Sequence, residues 1–295
     1  MTSEQQGVAL CLASALGFGT TAIFAKLAYD ADFSVLPLLA LRFTFSGALL
    51  FLLVGARCSF RRPGGRTILA GFALGFCVIS VQAGLLFAAF SRIDASLAVV
   101  LHYSYPALVV TAALVWGREA RSARRLGALS LALAGVVLVL AAAGIGSVDA
   151  LGVACALGSA VSYSAYVLLA YGMAARSDPG LLAALISAGA GLAFMAVTPL
   201  SGSELEVAPL GWLWLAALVL AATVLPLVAF LGGLSRVGPS NASILSTLEP
   251  VTTVVLAFAI FGERLSAVQL VGAVLVLNAV LVLASPPRVR SNQSL

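Results

Sequence analysis

SRIDASLAVVLHYSYP, residues 91–106, returns 144 positions later as SRVGPSNASILSTLEP, residues 235–250. Serine, arginine, alanine, leucine and proline recur in place, and the register continues through Glu119 and Glu263, Ser122 and Ser266, and Leu126 and Leu270. Upstream, GVALCLASAL (7–16) matches GVACALGSAV (152–161) at an offset of 145. The chain is therefore read as two copies of one unit, residues 1–146 and 147–295, the second with a short tail.

Outward from these segments the sequence is oily. Of 295 residues, 62% are apolar and 9% charged, with a mean hydropathy of +1.12. A soluble domain carries about 25% charged residues, and no loop here is long enough for a soluble core. Crossing roughly 30 Å of hydrocarbon takes about 20 helical residues. Apolar runs of that order fall at 7–28, 34–55, 67–90, 95–116, 125–144, 151–175, 180–201, 210–232, 240–261 and 266–285. The expected fold is an all-α polytopic membrane protein with ten transmembrane helices, five per copy. Because five is odd, the second copy enters the membrane from the opposite face. The result is two inverted five-helix repeats around a central cavity, an architecture of secondary transporters with the substrate site near the midplane.

With the N-terminus inside, Arg57, Arg61, Arg62, Arg66, Arg118, Arg121, Arg124, Arg125, Arg176, Arg236, Arg288 and Arg290 fall in inner loops. Only Lys26, Arg92 and Arg264 fall outside. The positive-inside rule then puts both termini in the cytoplasm, with the bacterial inner membrane as the location. The net charge of +5 is an orientation signal, so no nucleic-acid partner is expected. MTSEQQ lacks a basic n-region, so the first run is read as a retained span. Cys11, Cys58, Cys77 and Cys155 show no metal-ligand spacing. They read as inert thiols, and neither a metal nor another cofactor is expected.

LEPVTTVVLAFAIFGERLSAVQLVGAVLVL (248–277) resembles the C-terminal signature of the EamA-type drug/metabolite transporter superfamily. SALGFGTTAIFAKLA (14–28) is similar to that family's first span, lysine included, and LALRFTFSGALLFL (39–52) to its second, arginine included. GREARSARR (117–125) departs from the pattern by being more basic than GERLS. The resemblance implies ten helices as two inverted repeats and export of amino acids, other metabolites or cationic drugs. The aromatic centre resembles that of the YddG-like exporters of aromatic and other neutral amino acids.

Equivalent positions in the two copies lie on symmetry-related surfaces, so polar and aromatic residues there are candidates to line the pathway. Ser14, Phe18 and Thr21 share one face of the first span; Ser159, Tyr163 and Tyr166 are their counterparts in the sixth. His102 and Tyr105 share a face of the fourth span, with Ser246 and Glu249 as counterparts in the ninth. Tyr103 is turned about 100° from the His102 face, and Gln82 lies mid-membrane in the third span. The candidate substrate-binding residues are thus His102, Tyr105, Glu249, Ser246, Tyr163, Tyr166, Gln82, Phe18, Thr21 and Tyr103, with His102 and Gln82 at the polar head of the substrate. Pro106 and Pro250 mark a shared bend, either static or a hinge. A mid-span acid costs at least about 2.5–3.5 kcal/mol unless it meets water or a partner. Glu249 therefore binds a substrate ammonium group, carries a coupling proton, pairs with His102, Arg42 or Lys26, or bonds as the protonated acid to a carbonyl freed by Pro250. Arg42 pairs with Asp30 or Asp32, or attracts an anionic group.

The leading expectation is a secondary exporter of small metabolites, chiefly neutral including aromatic amino acids, working by alternating access. A cationic-drug exporter, a channel and a lipid flippase are the alternatives. Enzymatic chemistry has no support, since neither GxSxG nor HExxH occurs, and the absence of GxxxxGK[ST] argues against an ATP-driven pump. Spans 5 and 10 are built of small and aliphatic residues, which suits peripheral packing or a homodimer contact.

Overall fold

The computed structural model describes residues 2–56, 64–90, 92–93, 98, 101–116, 122–141, 149–202, 208–261 and 266–284. Arg57, Arg61, Arg62, Arg118, Arg121, Arg264, Arg288, Arg290, Cys58, Glu119 and Glu263 lie outside the described residues, as does the side chain of Arg125. Among the described residues every regular element is helical. Helix α1 (Ser3–Gly19) opens on a capping box, in which Gln5 N–H donates to the Thr2 hydroxyl at 3.2 Å and Thr2 N–H to Gln5 Oε1 at 2.9 Å. It breaks at Thr20, whose hydroxyl donates to the Gly17 carbonyl, and resumes as α2 (Thr21–Tyr29). There follow α3 (Val35–Gly55) and α4 (Gly65–Ala73), which runs through a π-helical turn (Leu74–Ile79) into α5 (Ser80–Phe90). Then come α6 (Tyr105–Val115) and α7 (Ala123–Ala141). The second half contains α8 (Ala150–Ala174), α9 (Pro179–Val197) and α10 (Pro209–Val219). A second π-helical turn (Leu220–Val224) leads into α11 (Leu225–Leu245), followed by α12 (Leu248–Phe261) and α13 (Ala267–Ala284).

Among the described residues six helical stretches are long and apolar enough to cross a membrane: Ser3–Tyr29, Val35–Gly55, Gly65–Ala89, Ala150–Ala174, Pro179–Leu200 and Pro209–Leu245. Their outer faces carry Leu52, Leu69, Val161, Leu169 and Leu213, all largely exposed. So much exposed apolar surface is a liability in water and a natural lipid contact in a bilayer. The chain is a polytopic helical membrane protein.

Besides residues 7–28, which break at Thr20, two further expected spans are not single helices. Residues 240–261 divide at Ser246 and Thr247, and residues 95–116 at Tyr103 and Ser104. Pro250 and Pro106 each stand in the first turn of the helix that follows. A proline cannot donate back to a preceding turn but fits the start of a new helix, so both breaks fall just before it. A further break lies inside α11 at Gly238, whose φ of 80° and ψ of 167° suit glycine, followed by Pro239.

The most extensive helix pairings each join an element of the first half to one of the second: α3 with α9, α7 with α13, α1 with α11 and α5 with α8. Small residues let these backbones approach. A Cβ on Gly75, in the first π turn, would stand 1.9 Å from the Ile186 carbonyl of α9, and one on Gly189 would stand 2.1 Å from the Phe72 carbonyl. Between α7 and α13, a Cβ on Gly135 would lie 2.6 Å from the Gly272 carbonyl. These two helices use their small faces on each other and turn Leu126 and Val137 of α7 and Leu270, Val274 and Leu281 of α13 outward.

At the start of α8, Asp149 accepts from Leu151 N–H at 2.8 Å and pairs with Arg92 at 3.2 Å. The Leu151 N–H, and after it Arg92, hold this carboxyl below its usual range. A depressed folded-state value means stability present at neutral pH and lost as the pH falls through that value. Asp149→Ala is expected to lower the thermal midpoint modestly at pH 7 and not at all in strong acid, measured by unfolding in detergent. An equal loss at both pH values would contradict the assignment.

Candidate functional site

The break at Tyr103 and Ser104 builds the site. On a continuous helix Tyr103 would turn away from His102; here both rings enter one cluster, their centroids 5.7 Å apart and edge to face. The His102 ring also lies 5.5 Å from both Tyr105 and Tyr163. Tyr105 meets Tyr163 edge-on at 4.6 Å, and Tyr163 meets Tyr166 at 5.4 Å. Tyr166 in turn stacks on Phe230 of α11 at 6.2 Å. His102, Tyr103, Tyr105 and Tyr166 are buried, whereas Tyr163 is half-buried. Such ring pairs contribute about 0.5–1.5 kcal/mol each beyond their burial, so the cluster is a stiff wall assembled from the break before α6 and from α8.

Ser159, fully buried on α8, ties the polar side of this wall together. Its Oγ lies 3.0 Å from His102 Nδ1 and accepts from Gln82 Nε2 at 3.3 Å. The sequence offered Ser159 only as the counterpart of Ser14. That serine is buried too, and its hydroxyl has no partner among the described residues. The two replacements should therefore differ in sign. Ser159→Ala strands His102 and Gln82 and is expected to cost about 1–3 kcal/mol, whereas Ser14→Ala is neutral or stabilising. Thermal unfolding of both variants in detergent checks this; equal losses would count against the Ser159 hub.

Glu249 is half-buried in the first turn of α12. Its carboxyl is in hydrogen-bonding reach of the Tyr103 hydroxyl and interacts electrostatically with Arg42. Ser246 is within side-chain reach of the Tyr105 hydroxyl, and its own hydroxyl donates to the Ala242 carbonyl. Thr253 Oγ1 donates to the Gly19 carbonyl at 2.8 Å, so the break between α1 and α2 rests on α12. Phe18 and Thr21, half-buried at that break, make no hydrogen bond or ring contact with the cluster among the described residues. Lys26 is exposed.

Arg42 is the group whose partners sequence spacing did not reveal. It is buried on α3, and its Nε donates to Thr223 Oγ1 at 2.7 Å while Nη2 donates to the Ala222 carbonyl at 3.0 Å. Both partners sit in the second π-helical turn, where Thr223 itself donates to Leu218 O at 2.7 Å. The first π turn offers a parallel, since its Val78 carbonyl accepts from Ser162 of α8 at 3.0 Å. Widened turns of this kind expose backbone acceptors to side chains and often mark functional sites. Helix-to-helix hydrogen bonds in membranes average about 0.6 kcal/mol, against about 2.5–3.5 kcal/mol to insert an arginine mid-helix. Two of them do not offset the charge, and the exposed Asp30 and Asp32 are not its partners.

A helical membrane protein with a polar and aromatic cluster between helices of its two halves has the anatomy of a transporter. The profile of the EamA-like transporter family matches residues 5–141 and again residues 150–285. The chain belongs to this family, within the drug/metabolite transporter superfamily. It is 28% identical over 278 residues to an uncharacterized transporter of Archaeoglobus fulgidus, covering 94% of this chain and 95% of that protein. It is 26% identical over 202 residues to the uncharacterized transporter YcbK of Bacillus subtilis, covering 63% and 62% of the two chains. A solved crystal structure shares the fold with a TM-score of 0.82 at 20% identity, over 94% of this chain and 97% of that one.

Proposed function

We propose that this transporter exports small metabolites from the cytoplasm, chiefly neutral amino acids including aromatic ones, by alternating access between two inverted five-helix repeats. In this reading ten spans carry the chain through the inner membrane, with both termini in the cytoplasm. The observation that carries the substrate class is the cluster of His102, Tyr103, Tyr105, Tyr163 and Tyr166, with Glu249 at its edge. Converging rings receive an apolar or aromatic side chain, and an acid in reach of a tyrosine receives an ammonium group. Of the remaining candidates, Gln82 and Ser246 border the cluster, and Phe18 and Thr21 line the approach to it at the break between α1 and α2. Pro106 and Pro250, each in the first turn after a break, are in this reading the hinges at which the broken helices bend during the transport cycle. The outward aliphatic faces of α7 and α13 are the surface a homodimer would use.

Cells fed a phenylalanine-containing dipeptide accumulate free phenylalanine, which gives a direct assay. Expression of the transporter is expected to lower the internal phenylalanine pool and raise external phenylalanine. Unchanged pools alongside new resistance to methyl viologen would replace this reading with a cationic-drug exporter. Lipid scrambling by the purified protein would replace it with a flippase.

A further inference from the structure

We infer that Arg42 and Tyr29 form a carboxylate-binding subsite, which with Glu249 makes the transporter selective for zwitterions carrying both an ammonium and a carboxylate group. This rests on the reading of the chain as an amino-acid transporter and assigns the head group to residues other than His102 and Gln82. Those two side chains are already engaged with Ser159. Arg42 is not saturated. Thr223 and Ala222 take Nε and one proton of Nη2, which leaves the other Nη2 proton and both Nη1 protons without a partner among the described residues. Tyr29, close enough to interact electrostatically with Arg42, has a buried hydroxyl with no partner among the described residues. A buried guanidinium with a free fork, and a buried phenol within electrostatic range of it, supply donors for the two oxygens of a carboxylate, which guanidinium binds in a bidentate manner.

Glu249 supplies the opposite sign. It interacts with the same Arg42 and reaches Tyr103 of the aromatic cluster. Carboxylate on Arg42, ammonium on Glu249 and side chain against the rings would use all three groups at once. An amine lacking the carboxylate would leave Arg42 unanswered; an acid lacking the ammonium would leave Glu249 unanswered. A buried polar group left unpaired is what gives strong discrimination.

Uptake of phenylalanine, 2-phenylethylamine and 3-phenylpropanoate into proteoliposomes tests this in wild type, Arg42→Gln, Glu249→Gln and Tyr29→Phe. Wild type is expected to favour phenylalanine over both analogues by about tenfold or more, the worth of one charged hydrogen bond. Arg42→Gln should reduce phenylalanine to the level of the amine while sparing the amine. Glu249→Gln should reduce it to the level of the acid while sparing the acid. If Arg42→Gln does not fold, Arg42→Lys and Tyr29→Phe carry the test, each weakening phenylalanine but not the amine. Equal losses for phenylalanine and amine would overturn the subsite, as would a wild type that carries phenylalanine without favouring it. A folded wild type that carries none of the three contradicts the amino-acid reading itself.

Discussion

Glu249→Gln is expected to slow phenylalanine transport about 10- to 100-fold, the worth of a contact to a charged group, while the protein stays folded. The amide has the shape of the acid and can still accept from the Tyr103 hydroxyl, so the local packing survives. What it loses is the ionisable carboxyl within electrostatic range of Arg42 and with it the site for an ammonium group. Initial rates in proteoliposomes, paired with size-exclusion profiles in detergent, measure both halves of the expectation. An unchanged rate in folded protein would make Glu249 a structural acid and remove the strongest polar element of the site.

The largest effect on stability is expected at Gly75. A Cβ there would lie 1.9 Å from the Ile186 carbonyl, which is backbone and cannot rotate aside. Gly75→Leu therefore has to separate α9 from the π turn that joins α4 to α5. Overpacking with movable neighbours already costs about 1–3 kcal/mol, and a clash with backbone exceeds that, so no monodisperse folded protein is expected. Gly84→Ala is the matched control, because its Cβ meets only Phe194 Cε1 at 4.0 Å. It should leave the thermal midpoint near that of the wild type. A Gly75→Leu protein that purifies and unfolds like the wild type would show that α9 does not pack as described.

Residue composition and period went far toward the fold and toward the wall of the site. The apolar run 151–175 is the helix Ala150–Ala174, and the run 34–55 is Val35–Gly55. The four-and-three spacing on α8 put Ser159, Tyr163 and Tyr166 on one face, where Tyr163 and Tyr166 indeed meet ring to ring. The helical wheel failed at Tyr103, because it assumes the helix continues and the helix breaks there, ahead of Pro106. The π-helical turns left no readable signal, since one extra residue in a uniformly apolar run does not change its pattern. Arg42 was visible as a charge, but its partner Thr223 lies 181 positions away in a segment with no motif. Gly71 and Gly75 do carry the GxxxG spacing in GFALG, a sign of the close approach to α9 that was there to be read.

Counterflow with purified protein tests the central claim most directly. Vesicles loaded with unlabelled phenylalanine are placed in trace labelled phenylalanine with no imposed gradient. The account predicts transient accumulation of label above its equilibrium level, abolished by unlabelled phenylalanine on both sides, because one site alternately faces each side. Label that only equilibrates without saturating, or does not enter at all in protein shown to be folded, would contradict an amino-acid carrier.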